Sequence, residues 1–265
     1  MKTVIEFLRH NTTIQKVIFN VFKDIDAQAG LSHLPYCIMG GNGGTDMKVD
    51  IAEALRYLGV KEDPTGELGR KMAEEADKLT RSVRPRYVYR VFPLSHTPDG
   101  AVLEGSGVTL AGETAGRMLE QCSHAALLLC TLGAGFETLL RTEQARDMAQ
   151  AVMLDACGSA WVEAGCEEAE QDIAARFPGL YLTDRFSPGY GDLPLALQPA
   201  VCAALDGWRR LGVQVTESLL MNPTKSVTAV VGLSDRPQPA RVRGCGYCNL
   251  RETCQFRKEG MTCGA

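Results

Sequence analysis

RYVYRVFPLSHTPDGAVLEGSGVTLAG, residues 86–112, decides the fold class. Directly after Pro85, RYVYRVFPL alternates with the period of two that a strand requires, and its Tyr, Val and Phe suit a pleated surface. Two more β-rich runs, AVLEG and VTLAG, follow across TPDG, a Pro-Asp-Gly combination that favours a tight reversal, so the stretch predicts an antiparallel group. On either side the period changes. DIAEALRYLGV and GELGRKMAEEADKLTRSV precede it as helices, and ETAGRMLEQC follows as a helix leading into the buried strand AALLLCTLG. Long helical stretches cover about residues 136–176, LALQPAVCAALDGWRRLG forms another helix, and VQVTES and the β-branched run SVTAVVGL close the body. Strands and helices mix without strict β-α-β alternation, which predicts an α+β fold rather than a doubly wound sheet.

The 265 residues, 45% hydrophobic and 23% charged, suit one large domain or two small ones. Three parts are expected. Residues 1–46 hold the apolar helix-periodic IQKVIFNVFKDI and a glycine-rich joint, GGNGG, with Met47 after it as an internal start; their role is open between partner binding and packing. Residues 47–235 form the body, and residues 236–265 a tail entered through the linker DRPQPARVRG. Lys and Arg number 28 against 32 Asp and Glu, a net charge of −4 that gives no electrostatic case for nucleic acid. The tail carries six Lys or Arg against two acidic residues, a local +4 that offsets thiolate charge, docks an acidic partner, or is merely a solvated linker. No signal peptide opens the chain and no apolar stretch reaches the roughly 20 residues of a membrane span. Single cysteines lie inside apolar segments, so a reducing cytoplasm is expected.

Four of the ten cysteines crowd the tail: Cys245, Cys248, Cys254 and Cys263. Soft thiolates in a C-x2-C pair, with two more in reach, suit a four-coordinate zinc or an iron-sulfur cluster. The full spacing, C-x2-C-x5-C-x8-C, matches neither a zinc ribbon nor the bacterial ferredoxin run, and iron-sulfur, zinc and no metal all stay open. Other signatures fall away. TLGAGFET has Thr138 where a dinucleotide-binding turn needs its third glycine, the four histidines are scattered, and HExxH, GxSxG and Walker patterns are absent.

RFSPGYGDLPLALQ, residues 185–198, is the most unusual loop. Its prolines and glycines fix a non-repetitive backbone that can approach a ligand, Arg185 offers a rigid fork of donors and Tyr190 an aromatic face. The pair suits a small zwitterion: Arg185 grips a carboxylate and Tyr190 faces a cation. The plainer alternative pairs Arg185 with Asp184 or Asp192 and leaves Tyr190 to pack.

This loop resembles the RxxxGY motif of the activation domain of cobalamin-dependent methionine synthase. VMLDACGSAWVEA resembles that domain's helix around Glu163, and GVQVTESLLMNPTKSV its G-x-x-x-T-E-S segment, in the same order. The resemblance covers roughly residues 50–232 and implies a twisted antiparallel sheet with flanking helices. It also implies S-adenosylmethionine as ligand, with Arg185 on the methionine carboxylate, the Phe186 backbone in contact, Gly189 and Tyr190 lining the site and Glu163 near the sulfonium. The homocysteine, folate and cobalamin modules of the whole synthase have no counterpart. The chain thus resembles a free-standing reactivation protein for cob(II)alamin on a corrinoid partner, above all a short methionine synthase, supplied with electrons by a reductant such as flavodoxin or ferredoxin. No residue is expected to act as a general acid or base. Three features depart from the pattern: Phe186 replaces a small residue, a downstream tyrosine pair has no counterpart near Pro237, and an N-terminal acidic ligand has only Asp46 and Asp50 nearby. Two other readings stand beside this one: an iron-sulfur or zinc-bearing electron-transfer adaptor that does not bind the methyl donor, and a structural cap for a corrinoid protein.

Overall fold

The computed structural model describes residues 37–40, 47–60, 63–98, 100–238, 252–253 and 258. Its organising strand is β2, Arg86–Thr97, twelve residues long. Strand β5, His124–Thr131, pairs with one edge of β2 from Arg86↔Thr131 to Pro93↔His124. The other edge is shared. Strand β1, Cys37–Gly40, takes its first half, and β3, Gly100–Leu103, takes the second. Beyond β3 lies β4, Val108–Leu110; beyond β5 lies β9, Ser226–Ser234, and then the short β6, Tyr181–Leu182. Every pairing is antiparallel, in the order β4-β3-β2-β5-β9-β6. A separate hairpin joins β7, Gln214–Val215, to β8, Met221–Asn222.

Both faces of the sheet are covered, so successive strand residues alternate between two cores instead of between core and water. Tyr87, Tyr89, Val91, Leu128 and Val231 face a first core beneath helices α1, Ile51–Tyr57, α2, Glu67–Ser82, and α5, Met148–Arg176, with Phe136 of α4, Gly133–Arg146. Val88, Phe92, Leu127, Leu129 and Val230 face a second core closed by α3, Glu113–Leu119, α6, Gln198–Ala204, and α7, Gly207–Leu211. The run predicted at residues 195–212 as one helix is broken. A 3-10 turn precedes α6, and Asp206 adopts a left-handed conformation at φ 53° before α7. The cause is tertiary: a Cβ on Gly207 would lie 2.7 Å from Leu129, so α7 starts afresh where the chain presses onto the sheet.

Helix α5 is the mast of the first core. The Asp147 carboxylate caps its start by accepting from the amides of Ala149 and Gln150. Small residues on its inner side allow close approach: a Cβ on Gly158 would come within 2.4 Å of the Phe136 ring, and one on Gly165 within 2.4 Å of Pro85 and 2.8 Å of the Cys130 sulfur. Trp161, fully buried, donates from Nε1 to the Val83 carbonyl at 2.9 Å, tying α5 to the segment that enters β2. Among the described residues no helix is long and apolar enough to cross a membrane.

Candidate functional site

Arg185 stands at a slip in the sheet register. Leu182 of β6 pairs with Leu233 of β9, and Phe186 forms a bridge with Val230. The outer chain therefore takes four steps where β9 takes three, so one extra residue bulges from the edge. Thr183 replaces the missing main-chain partner: its amide donates to the Gly232 carbonyl at 3.0 Å and its hydroxyl accepts from the Gly232 amide at 2.8 Å. Bulges of this kind re-aim side chains. In an unbroken register Phe186, four residues on, would share the face of Leu182, which packs on the first core. Instead Phe186 is buried in the second core, and Arg185 is turned toward α5.

There the guanidinium meets two carboxylates. Nη2 donates to Glu163 Oε2 and Nη1 to Glu170 Oε2, both at 2.6 Å. The side chains are 16% (Arg185), 29% (Glu163) and 21% (Glu170) exposed. Glu163 and Glu170 are seven residues apart, two turns of one helix, so both emerge on the same face. Cys166 lies between them and is fully buried; a hydrogen bond with Cys130, and then burial, push its thiol well above the ordinary range, so it stays neutral. Burial alone would lower the Arg185 pKa, but the carboxylates of Glu170 and Glu163 outweigh it and raise it. The cation is permanent. One guanidinium against two carboxylates gives the trio a formal charge of −1 in a partly desolvated place.

A shallow cleft of about 340 Å³ runs between α1, α4 and α5, lined by Tyr57, Leu140, Met148, Val152, Asp155 and Ser159 among others. Ser159 is one helical turn before Glu163. The Lys225 ammonium closes this end, donating to Asp155 Oδ2 at 2.9 Å and Ser159 Oγ at 2.8 Å. Tyr57 is 41% exposed, with the Arg56 guanidinium 4.8 Å from its ring centre. Burial first, then the charges of Glu163 and Glu53, push its phenol up to about 12.

Of the residues singled out from sequence, Arg185 and Glu163 are brought into direct contact. Phe186 and Tyr190 are directed elsewhere: both pack with the second core, and both main-chain groups of Phe186 pair with Val230, at 3.0 and 2.7 Å. Gly189, at φ 89°, and Gly191, at φ 58°, turn the loop around Tyr190. Asp192 does not serve Arg185. It accepts from the Glu113 and Thr114 amides at the start of α3, pinning the loop to that helix. Burial by itself would raise the Asp192 carboxyl, but hydrogen bonds from the Thr114 side chain and from these amides hold it below its ordinary range. Glu170 was not singled out, although its seven-residue spacing from Glu163 places it on the same helical face. Cys245, Cys248, Cys254 and Cys263 lie outside the described residues; among those described, no group of three or more His, Cys, Asp or Glu side chains is arranged to hold a metal ion.

No family model matches the sequence, and no curated protein matches it. Among solved structures the chain is similar to the crystal structure of the MetH reactivation domain bound to AdoHcy, at 15% identity and a TM-score of 0.58, over 87% of this chain and 88% of that one. The chain has that domain's α+β fold, an antiparallel sheet with flanking helices.

Proposed function

We propose that this chain is a cytoplasmic S-adenosylmethionine-binding accessory protein for the reductive methylation of cob(II)alamin on a corrinoid methyltransferase, above all a short methionine synthase. One observation carries the reading: the Arg185–Glu163–Glu170 trio, a donor fork and a surplus negative charge side by side on a fold whose solved counterpart holds AdoHcy. An α-amino acid zwitterion can enter such an ion pair by exchange. Its carboxylate takes the Nη2 arm of Arg185, and the released Glu163 faces the sulfonium. The sulfonium adds one positive charge that neutralises the trio's surplus.

The protein's part is to bind, orient and shield the donor. Reaction at the partner's cobalt consumes one electron and the methyl group, leaving methylcobalamin and S-adenosylhomocysteine, with the electron supplied by a flavodoxin- or ferredoxin-like reductant. The four tail thiolates form a donor set suited to an iron-sulfur cluster or to zinc. Held by Cys245, Cys248, Cys254 and Cys263, an iron-sulfur cluster would supply low-potential electron transfer.

A second reading has its own observation. Both arms of Arg185 are already engaged by Glu163 and Glu170, as they would be in a pocket that has lost its ligand and left an adaptor carried by the tail. Anaerobic calorimetric titration with S-adenosylmethionine, with Arg185→Ala alongside, separates the two. Binding lost in the variant supports the first reading; no binding to the wild-type chain refutes it and leaves the adaptor.

A further inference from the structure

We propose that Glu170 is a positioning residue for the donor site: it holds the Nη1 arm of Arg185 in place while the Nη2 arm exchanges Glu163 for the ligand's carboxylate. This rests on the S-adenosylmethionine reading and adds a division of labour between two glutamates that are chemically identical.

Geometry distinguishes them. Each takes a different terminal nitrogen, at the same 2.6 Å, so releasing one need not break the other. Glu163 is the more exposed of the two, 29% against 21%, and it lies one turn beyond Ser159 of the open cleft, with Tyr57 within its electrostatic reach. Glu170 projects from a turn of α5 seated in the first core, where its neighbours Ala169 and Ile173 are fully buried. The turn that carries Glu163 is seated as firmly, with Trp161 and Cys166 fully buried, so the helix itself cannot follow an incoming ligand; Glu170, away from the open cleft, is the fixed partner and Glu163, beside it, the exchangeable one. The bulge fixes the Arg185 main chain, but a long side chain with a single partner would swing with that partner. A second, immobile carboxylate keeps the fork aimed after Glu163 lets go, and pre-organisation of this kind is what a small ligand needs in order to bind.

The two roles give different signatures. An anchor acts through the grip on the carboxylate, which S-adenosylmethionine and S-adenosylhomocysteine share. A counter-ion for the sulfonium acts on S-adenosylmethionine alone. The test is calorimetric titration of the full chain with both ligands for wild type, Glu170→Met, Glu170→Gln and Glu163→Gln, with thermal unfolding of each as a control on folding. Met has nearly the size of Glu but no acceptor oxygen for Nη1, whereas Gln keeps one. Loss of a charge-assisted hydrogen bond on this scale predicts that Glu170→Met weakens both ligands about tenfold and equally. Glu170→Gln stays within about threefold of wild type, because the acceptor survives. Glu163→Gln changes the ratio between the ligands. An unchanged affinity for both ligands in a folded Glu170→Met overturns the proposal, as does a change in their ratio there or equal damage from Gln and Met. Failure of the wild-type chain to bind either ligand is a distinct outcome, which removes the binding reading and this inference with it.

Discussion

Substituting Glu163 by Gln isolates the electrostatic part of the site. The amide matches the carboxylate in size and can still accept from Arg185 Nη2, so the change is close to the removal of one charge from a trio that carries −1. Unit charges about 5 Å apart interact by about 3 kcal/mol at an effective dielectric constant of about 20. Glu163 is 29% exposed, and solvent and salt screening reduce that figure to about 1–2 kcal/mol. S-adenosylmethionine should therefore bind about 5- to 30-fold more weakly to the variant at 25 °C. S-adenosylhomocysteine has no sulfonium and should change by less than about threefold, tending toward tighter binding because Arg185 loses a competing carboxylate. Titration of both ligands at low and at raised salt provides the assay, and the difference between them should shrink as salt rises. Equal weakening of the two ligands would mean that Glu163 acts by shaping the pocket, and an unaltered S-adenosylmethionine affinity would mean that the sulfonium lies elsewhere. Either result refutes the charge argument.

Other consequences concern the frame around the site. Gly165→Ala forces a Cβ to 2.4 Å from Pro85 and 2.8 Å from Cys130, an overpacking that should cost about 1–3 kcal/mol, read as a lower urea midpoint at unchanged slope. Asp192→Asn should destabilise the chain at pH 7. The native Asp192 carboxyl lies below its reference value of 3.8, so its contribution is present above that value and disappears as pH falls through the native one. The gap between variant and wild type in thermal unfolding should accordingly close below about pH 4, and a constant gap would contradict the capping role. Burial raises the thiols of Cys122 and Cys202 to about 11 and that of Cys157 to about 12. Native-state alkylation at about pH 8 should spare these three together with Cys130 and Cys166, the other described free cysteines, and rapid labelling of any of the five would show local opening there.

The larger elements were legible because their patterns are local. Residues 86–97 alternate, residues 148–176 carry no proline, and TPDG ends one strand and starts the next. Burial on both faces was legible in AALLLC, where no polar residue interrupts the run. The break at Asp206 was not, since it answers to Leu129, a residue far away in sequence. Strand β1 lies within the stretch read as an N-terminal extension; four residues are too few to show a period, and their place follows from the vacant half-edge of β2. At the site, motif resemblance picked out Arg185 and Glu163 individually. Their contact, the second carboxylate at Glu170, and the turning of Phe186 and Tyr190 toward the other core depend on a register slip that involves two strands. One sequence segment cannot encode a mismatch in residue count against its partner.

That mismatch has a chemical consequence. An arginine delivered by a regular edge strand would share a face with every second neighbour and would need a loop to bend it out of line. The extra residue between Leu182 and Phe186 reverses the facing over a short span while hydrogen bonds on both sides persist, from Leu182↔Leu233 to Phe186↔Val230. The slip depends on residues from both strands. Thr183 supplies the hydroxyl that satisfies the Gly232 amide, and position 232 must be glycine because a Cβ there would meet the Cys122 sulfur at 2.6 Å, Leu119 at 2.7 Å and Thr183 at 2.9 Å. The guanidinium is thus presented from a bulge held by hydrogen bonds on both sides, to carboxylates on a helix whose inner face is closely packed. Such a fork meets a ligand already oriented, and the one adjustable member of the trio is the glutamate nearest the open cleft.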